Sequence, residues 1–343
     1  MSARRINLAL QGGGAHGAFT WGVLDRLLAE PDLEIAGISG TSAGALNGAA
    51  LKAGLVNGGP EAARENLAWL WRRIGALDDE SMPAWFGLAE TEAISSALDY
   101  SPFFAAADAW SRMVSPYGWG ALYSNPLRGL VDEFDFESVC AEDGPAFFVG
   151  ATNVRTGKAR VFSGGEISTD AILASACLPT LYRAVEIADP ETGRMEAFWD
   201  GGYTGNPPLF PLYAPELPHD ILVININPLH REQVPQTPQD IRNRINEISF
   251  NSSLLRELRA IDFVSRLIDE GTLEEGRMKR LNMHMISDDA LMNELSVATK
   301  MIPVPTVLTR LRQAGEAAAE VFLSAHKDDI GKRSSADLRA MFA

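Results

Sequence analysis

The sequence predicts an α/β fold in three layers, a mostly parallel central sheet covered by helices on both faces, followed by a helical C-terminal extension. Short apolar runs of strand length alternate with amphipathic helical runs through most of the chain, the pattern of a parallel sheet with crossover helices. Residues 220–226, Asp220-Ile221-Leu222-Val223-Ile224-Asn225-Ile226, have an apolar centre without alternation, as a strand buried on both faces requires. From about residue 236 the chain turns strongly helical and charged.

The elements follow in order. Strand signals lie near 5–10, 33–38, 146–151, 158–163, 196–199, 220–226 and 282–287. Helical patterns lie near 16–29, 42–54, 60–75, 126–133 and 168–176, with longer helical stretches from 236 to 276 and from 304 to 326. The first strand alternates through Ile6-Asn7-Leu8-Ala9-Leu10 and runs into Gly12-Gly13-Gly14. The helix after it carries Phe19, Val23, Leu24, Leu27 and Leu28 on one face, and Pro31 stops it. Asn125-Pro126-Leu127-Arg128 opens a helix with proline in its first turn, where Arg128 is expected to pair with Asp132 or Glu133. Residues 80–121 differ in character: Trp85, Phe86, Phe103, Phe104, Trp110, Tyr117 and Trp119 stand among Pro, Gly and Ala. They read as an irregular insertion, either a lid or acyl-chain channel or a local core. The domain division expected is 6–210, carrying this insertion, and 211–343, an extension of one buried strand and then mostly helix.

A formal net charge of −15 disfavours nucleic acid, whose phosphates it would repel, and nonspecific docking on strongly anionic membranes. A single lipid molecule needs only a local pocket and is compatible with that charge. Cys140 and Cys177 are far apart without C-x-x-C spacing, so neither a disulfide framework nor a zinc site is indicated. No apolar stretch reaches the length of a transmembrane helix, and no apolar region of signal-peptide length follows Arg4-Arg5. The expected location is cytoplasmic, with transient contact at a membrane surface left open. Oligomeric state is not legible.

The chemistry concentrates in three short segments. Gly40-Thr41-Ser42-Ala43-Gly44 is a G-x-S-x-G pattern, preceded by the apolar run Ile35-Ala36-Gly37-Ile38 and followed by the small-residue helix Ala45 to Ala53. That is the strand–turn–helix setting of a nucleophile elbow, with Gly40 and Gly44 permitting the sharp turn around Ser42. The blander reading is a serine in a Gly/Ala-rich turn. Gly12, Gly13 and Gly14, with Gly17 beyond them, precede a helix N-terminus and can offer backbone N–H groups to an anion, and the amide of Ala43 adds a donor. Phe198-Trp199-Asp200-Gly201-Gly202 ends an apolar segment on a carboxylate followed by a flexible turn. Burial beside the two aromatics would raise the pKa of Asp200 and make it a better base, whereas the blander reading is a turn aspartate.

Glycine loop, serine elbow and Asp-Gly-Gly, in that order over residues 6 to 210, resemble the patatin-like phospholipases, bacterial members above all. The resemblance implies a lipid acyl hydrolase acting on carboxylic esters through a Ser42–Asp200 dyad and an acyl-enzyme. The glycine loop would serve as oxyanion hole, and neither cofactor nor metal would be needed. Phospholipids, lysophospholipids and simpler acyl esters all fit, and so does acyl transfer to an alcohol. The segment Ala174 to Tyr182 resembles one that lines the acyl pocket, which makes Cys177 a buried small side chain. One departure is His16, where the family commonly carries Arg or Lys; its expected role is to contact loop carbonyls at the helix start. Asn47 is expected to cap or brace the elbow.

Three rival readings stand beside this one. Gly12-x-Gly14-x-x-Gly17 also matches a dinucleotide fingerprint, but the acidic residue that would hold a ribose is missing from the end of the second strand, since Glu34 stands at its start. A Ser–His–Asp triad would take His230, at a strand end, ahead of His219, His284 or His326. A noncatalytic binding protein on the same fold is the third.

Overall fold

The computed structural model of the chain describes residues 3–75, 115–190, 192–274 and 276–342. Eight strands build one sheet: β1 (Arg4–Leu10), β2 (Leu33–Gly40), β3 (Ala146–Asn153), β4 (Ala159–Ser163), β5 (Val185–Asp189), β6 (Arg194–Asp200), β7 (Asp220–Asn225) and β8 (Asn282–Ser287). Their order is β5-β6-β3-β2-β1-β7-β8, with β4 also on β3. The five longest α-helices among the described residues are α1 (Gly17–Leu28), α2 (Ala43–Gly75), α3 (Thr169–Ser175), α4 (Pro238–Asp269) and α5 (Pro305–His326). Within α2 the backbone breaks at Gly58 and Gly59, so it behaves as the two helical segments the sequence predicts.

Side-chain alternation on the central strands sorts the core into two layers. Ile6, Leu8 and Leu10 of β1 and Leu222 and Ile224 of β7 pack into a large cluster with α1, α2, α3 and α5. Ala9, Ile221 and Val223 point to the opposite face, against Leu254 and Leu258 of α4. Every residue of β7 is buried, which is why its sequence has no apolar–polar alternation. The fold is therefore the three-layer α/β/α arrangement expected, with its C-terminal region largely helical.

The five strands β1, β2, β3, β7 and β8 run parallel, and β4, β5 and β6 join antiparallel at the β3 side. One consequence positions the site. β2 pairs with β3 from Gly37 opposite Ala146 to Gly40 opposite Val149 and then leaves the sheet. β4 holds the other edge of β3 over Phe148 to Thr152. β6 therefore takes up the edge that β2 has vacated, with Asp200 opposite Ala151. Asp200 thus arrives just beyond the end of β2, where the chain turns through Ser42.

β5 was not expected; it is a half-buried strand that forms a hairpin with β6. The expected helix over 126–133 is a single turn, Arg128–Val131. Of the aromatic-rich segment 80–121, residues 80–114 lie outside the described residues. Its end, Pro116–Leu122, is a 3₁₀ segment held by Arg183, whose guanidinium donates to Pro116 O and Gly120 O and stacks on Tyr123. Among the described residues no helix is long and apolar enough to cross a membrane.

Candidate active site

Ser42 sits between β2 and α2 with φ 54°, the only positive φ at a non-glycine position among the described residues. Such a conformation costs an L-residue about 1–2 kcal/mol and persists only where its surroundings impose it. They do so on both sides. The N–H of Ser42 donates to Ser175 Oγ at 2.9 Å, and the carbonyl of Ser42 accepts the amides of Ala45 and Leu46 as α2 begins. Gly44 packs where a Cβ would collide with Leu10 O, and a Cβ at Gly40 would stand 2.5 Å from Gly44 O, so the elbow closes only with glycine at both places.

Asp200 is buried, with 1% of its surface exposed. Its carboxylate accepts the N–H of Gly202 at 2.8 Å. Burial pushes its pKa up to about 7, against the smaller opposing pull of the Gly202 amide and of the nearby Ser42 hydroxyl. The backbone is pinned as well: Asp200 N–H donates to Cys177 O at 2.8 Å, and Thr152 Oγ1 donates to Asp200 O at 2.8 Å. Gly201 and Gly202 let the chain pass against Gly150 O and the Phe250 ring.

The glycine loop comes up beside the elbow. A Cβ on Gly12 would stand 2.8 Å from Ser42 Cβ, and one on Gly17 would stand 2.8 Å from Ala43 Cβ. Among the described residues the amides of Gly13, Gly14 and Ala43 have no hydrogen-bond acceptor, and Gly14 is exposed. Gly12 differs from expectation. Its N–H is taken by Asn206 Oδ1 at 2.7 Å, and its carbonyl accepts Asn227 Nδ2 at 2.8 Å and Asn206 Nδ2 at 3.3 Å. Two asparagine side chains hold this residue, so its amide is not free for a ligand.

None of the five histidines hydrogen-bonds Ser42. His230 is exposed, and its backbone carbonyl accepts Asn293 Nδ2. His284 does form a Ser–His–Asp string, with Ser335 Oγ at 2.8 Å and Asp220 Oδ1 at 3.0 Å, but its ring is fully buried and the string fastens the C-terminal segment to β7 and β8. His16 contacts the Thr299 hydroxyl through Nε2 at 2.9 Å rather than loop carbonyls. Thr299 Oγ1 itself donates to Ser296 O, so Nε2 carries the His16 proton. Burial, with Lys300 and Arg231 nearby, holds His16 well below the usual imidazole range and keeps it neutral at pH 7.

Other expectations change partner. Arg128 pairs with Asp170 of α3, because Asp132 accepts Thr169 Oγ1 and Glu133 pairs with Arg73. Asn47 braces the loop end more than the elbow: its Nδ2 donates to Gly17 O at 3.1 Å and its Oδ1 accepts Trp71 Nε1 at 2.9 Å. Cys140 and Cys177 are free thiols, and burial pushes Cys177 up to about 12, leaving it inert near neutral pH. Among the described residues no three His, Cys, Asp or Glu side chains cluster as a metal site needs.

Sequence reading did not single out Ser175, Asn206, Asn227 or Lys300. Ser175 falls in a segment already noted as pocket-lining. The others come from loops and a short helix distant in sequence, with no local pattern to mark them.

The arrangement offers a hydroxyl on a strained turn, a buried carboxyl of raised pKa and, in the adjoining loop and turn, amides without an acceptor, groups that a nucleophilic acyl transfer could use. No curated protein matches the chain in sequence. Among solved structures it is similar to VipD from Legionella pneumophila, at 14% identity and a TM-score of 0.41, over 94% of this chain and 67% of that one. A match to the ExoU–SpcU heterodimeric complex from the type III secretion system of Pseudomonas aeruginosa has 17% identity and a TM-score of 0.28, over 96% of this chain and 62% of that one. The family model for patatin-like phospholipase matches residues 8–213, more than half of the sequence and the stretch that holds elbow, glycine loop and Asp200, and the chain belongs to that family.

Proposed function

We propose that the protein hydrolyses carboxylic esters of lipids through Ser42 and Asp200. The observation that carries this reading is a buried Asp200 with a pKa of about 7, brought by β6 to the turn that carries Ser42, a base poised near neutral pH. Family membership supports a lipid ester as substrate.

The chemistry balances without a further group. Ser42 Oγ attacks the ester carbonyl carbon while Asp200 takes the hydroxyl proton. The carbonyl oxygen becomes an oxyanion facing the amides of Gly13, Gly14 and Ala43. The C–O bond to the leaving alcohol breaks and Asp200 returns the proton to that alcohol, leaving an acyl ester on Ser42. Water, deprotonated by Asp200, then attacks the acyl carbon, the bond from that carbon to Ser42 Oγ breaks, the carboxylic acid leaves, and Asp200 returns the proton to Ser42.

The test is labelling by a fluorophosphonate probe together with turnover of short- and long-chain p-nitrophenyl esters. Wild type should label and turn over, Ser42→Ala should do neither, Asp200→Asn should lose turnover, and His230→Ala should keep both. A wild type that neither labels nor turns over any ester sinks the proposal. A folded but inactive His230→Ala would move the base to that histidine.

A further inference from the structure

The C-terminal region reaches the glycine loop through one residue. Lys300 lies on the short helix Val297–Met301. Its carbonyl oxygen fills the place where a Gly14 Cβ would be, at a position where φ is +58°. Its ammonium donates to Asn227 Oδ1 at 3.0 Å. Asn227 Nδ2 passes the contact on to Gly12 O at 2.8 Å and to Gln11 Oε1 at 3.1 Å. One residue therefore packs its backbone against Gly14 and reaches Gly12 through Asn227.

We propose that Lys300 is a positioning residue for the oxyanion-binding loop, holding the Gly12–Gly14 backbone through Gly14 and Asn227 and supplying the positive charge beside it. The inference rests on the reading of Ser42 as nucleophile and deepens it by bringing in a residue from outside the family-matched segment.

The charged and titratable groups facing Lys300 are Glu247 of α4, Arg231 of the loop after β7, and His16. Glu247 is held by Nη2 and Nε of Arg231, at 2.6 and 2.8 Å, and by Arg244 at 3.2 Å, so two arginines already share that carboxylate. His16 is neutral. Lys300 is then the cation that reaches the loop, its ammonium one side chain away from Gly12 through Asn227. Burial lowers its ammonium to about 8, with Glu247 opposing and Arg231 assisting, so it is charged at pH 7 and loses its charge just above pH 8. A poorly solvated charge close to the loop stabilises an anion at the loop amides more than it would in water. The neutral amine can still donate to Asn227, so rising pH removes the charge while leaving the hydrogen bond.

Wild type, Lys300→Met and Lys300→Arg are compared for fluorophosphonate labelling rate, for kcat and KM on one p-nitrophenyl ester from pH 6 to 10, and for thermal unfolding. Lys300→Met should lower labelling rate and kcat about tenfold or more at pH 7 with little change in KM. Wild-type kcat should fall above pH 8, and that fall should be absent in Lys300→Arg, whose guanidinium does not titrate in this range. A folded Lys300→Met that labels within about twofold of a reactive wild type overturns the inference and leaves the function intact. If Lys300→Met does not fold, the alkaline limb decides: unmoved in Lys300→Arg, it also overturns the inference. A wild type with no labelling and no turnover removes the nucleophile, and the inference falls with that reading.

Discussion

The backbone N–H of Ser42 is held by the side chain of Ser175 at 2.9 Å, and the same hydroxyl donates onward to Gly150 O at 2.6 Å. Gly150 O is also the atom against which Gly201 packs. One fully buried hydroxyl therefore ties the serine turn to the point on β3 against which the aspartate turn packs.

Ser175→Ala removes that tie and leaves the amide of Ser42 free to rotate out of its strained conformation. The expected result is a fall in kcat of about tenfold or more, with KM little changed, because acyl transfer is sensitive to small displacements of the attacking oxygen. The stability cost should be modest, about 1–3 kcal/mol for a buried acceptor and donor left unpaired. Steady-state kinetics beside thermal melts separates the two effects.

Asp200 predicts opposite pH trends for activity and stability. The base form dominates above pH 7, so kcat/KM should rise through an acid limb near that value. Stability runs the other way. A carboxyl whose folded pKa lies near 7, against an ordinary 3.8, is disfavoured in the fold once ionised, so the folded state loses ground as pH rises from about 4 to 7. Asp200→Asn should therefore be inactive yet more stable than wild type at pH 8, by about 1–4 kcal/mol, with the gain vanishing at pH 4. Equal melting temperatures at pH 8 would contradict the buried-carboxylate account.

Asp25 gives the reverse profile. Its carboxylate on α1 accepts from Arg64 of α2 at 2.8 Å and from Arg312 of α5 at 3.0 Å. Burial pulls its pKa up, but the two guanidiniums outweigh that and hold it below the ordinary value of 3.8. The ion pairs contribute stability at neutral pH that is lost as pH falls through that lowered pKa. Asp25→Asn should destabilise by about 1–3 kcal/mol at pH 7, leaving two partly buried arginines short of a partner, and by progressively less as pH falls below 3.8. Urea midpoints across that range check this.

Gly22 and Gly315 mark the crossing of α1 and α5, where a Cβ on either would collide with backbone carbonyl oxygen of the other helix, Arg312 O or Phe19 O. Gly22→Ala or Gly315→Ala should cost about 1–3 kcal/mol or more through forced separation of the helices, although alanine favours an isolated helix. Chemical denaturation of the two variants would test it, and an unchanged midpoint for both would refute the close crossing.

Much of the frame was legible because the residues that set it are local. Apolar runs gave seven of the strands within a few residues, and Pro31, Pro60 and Pro305 punctuate helices where proline can stand. β5 escaped because Val185-Glu186-Ile187-Ala188-Asp189 is short and only half buried, held by its hairpin with β6 rather than by a strong pattern. At the site, Ser42, Asp200 and the glycines announce themselves through neighbours one or two positions away. What hydrogen-bonds them does not. Asn206, Asn227 and Lys300 reach Gly12 and Gly14 across nearly 200 to 300 residues of sequence, and nothing in their own surroundings distinguishes them from ordinary polar residues. The availability of Gly12 was misread for that reason, since a glycine's own sequence does not say whether its amide is already taken.

The pairing of β1 with β7 makes the sheet depend on chain from beyond the family-matched segment. The segment recognised as common to the family ends at residue 213, yet β1, which leads into the glycine loop, has β7 from beyond that end as one of its two neighbours. Cut there, β1 would become a bare sheet edge and α1 would lose the helix that covers it. The family-matched segment is thus shorter than the length of chain that completes the sheet around β1. A chain cut at residue 213 would keep Ser42 and Asp200 yet leave an unpaired strand edge beside the loop that adjoins them.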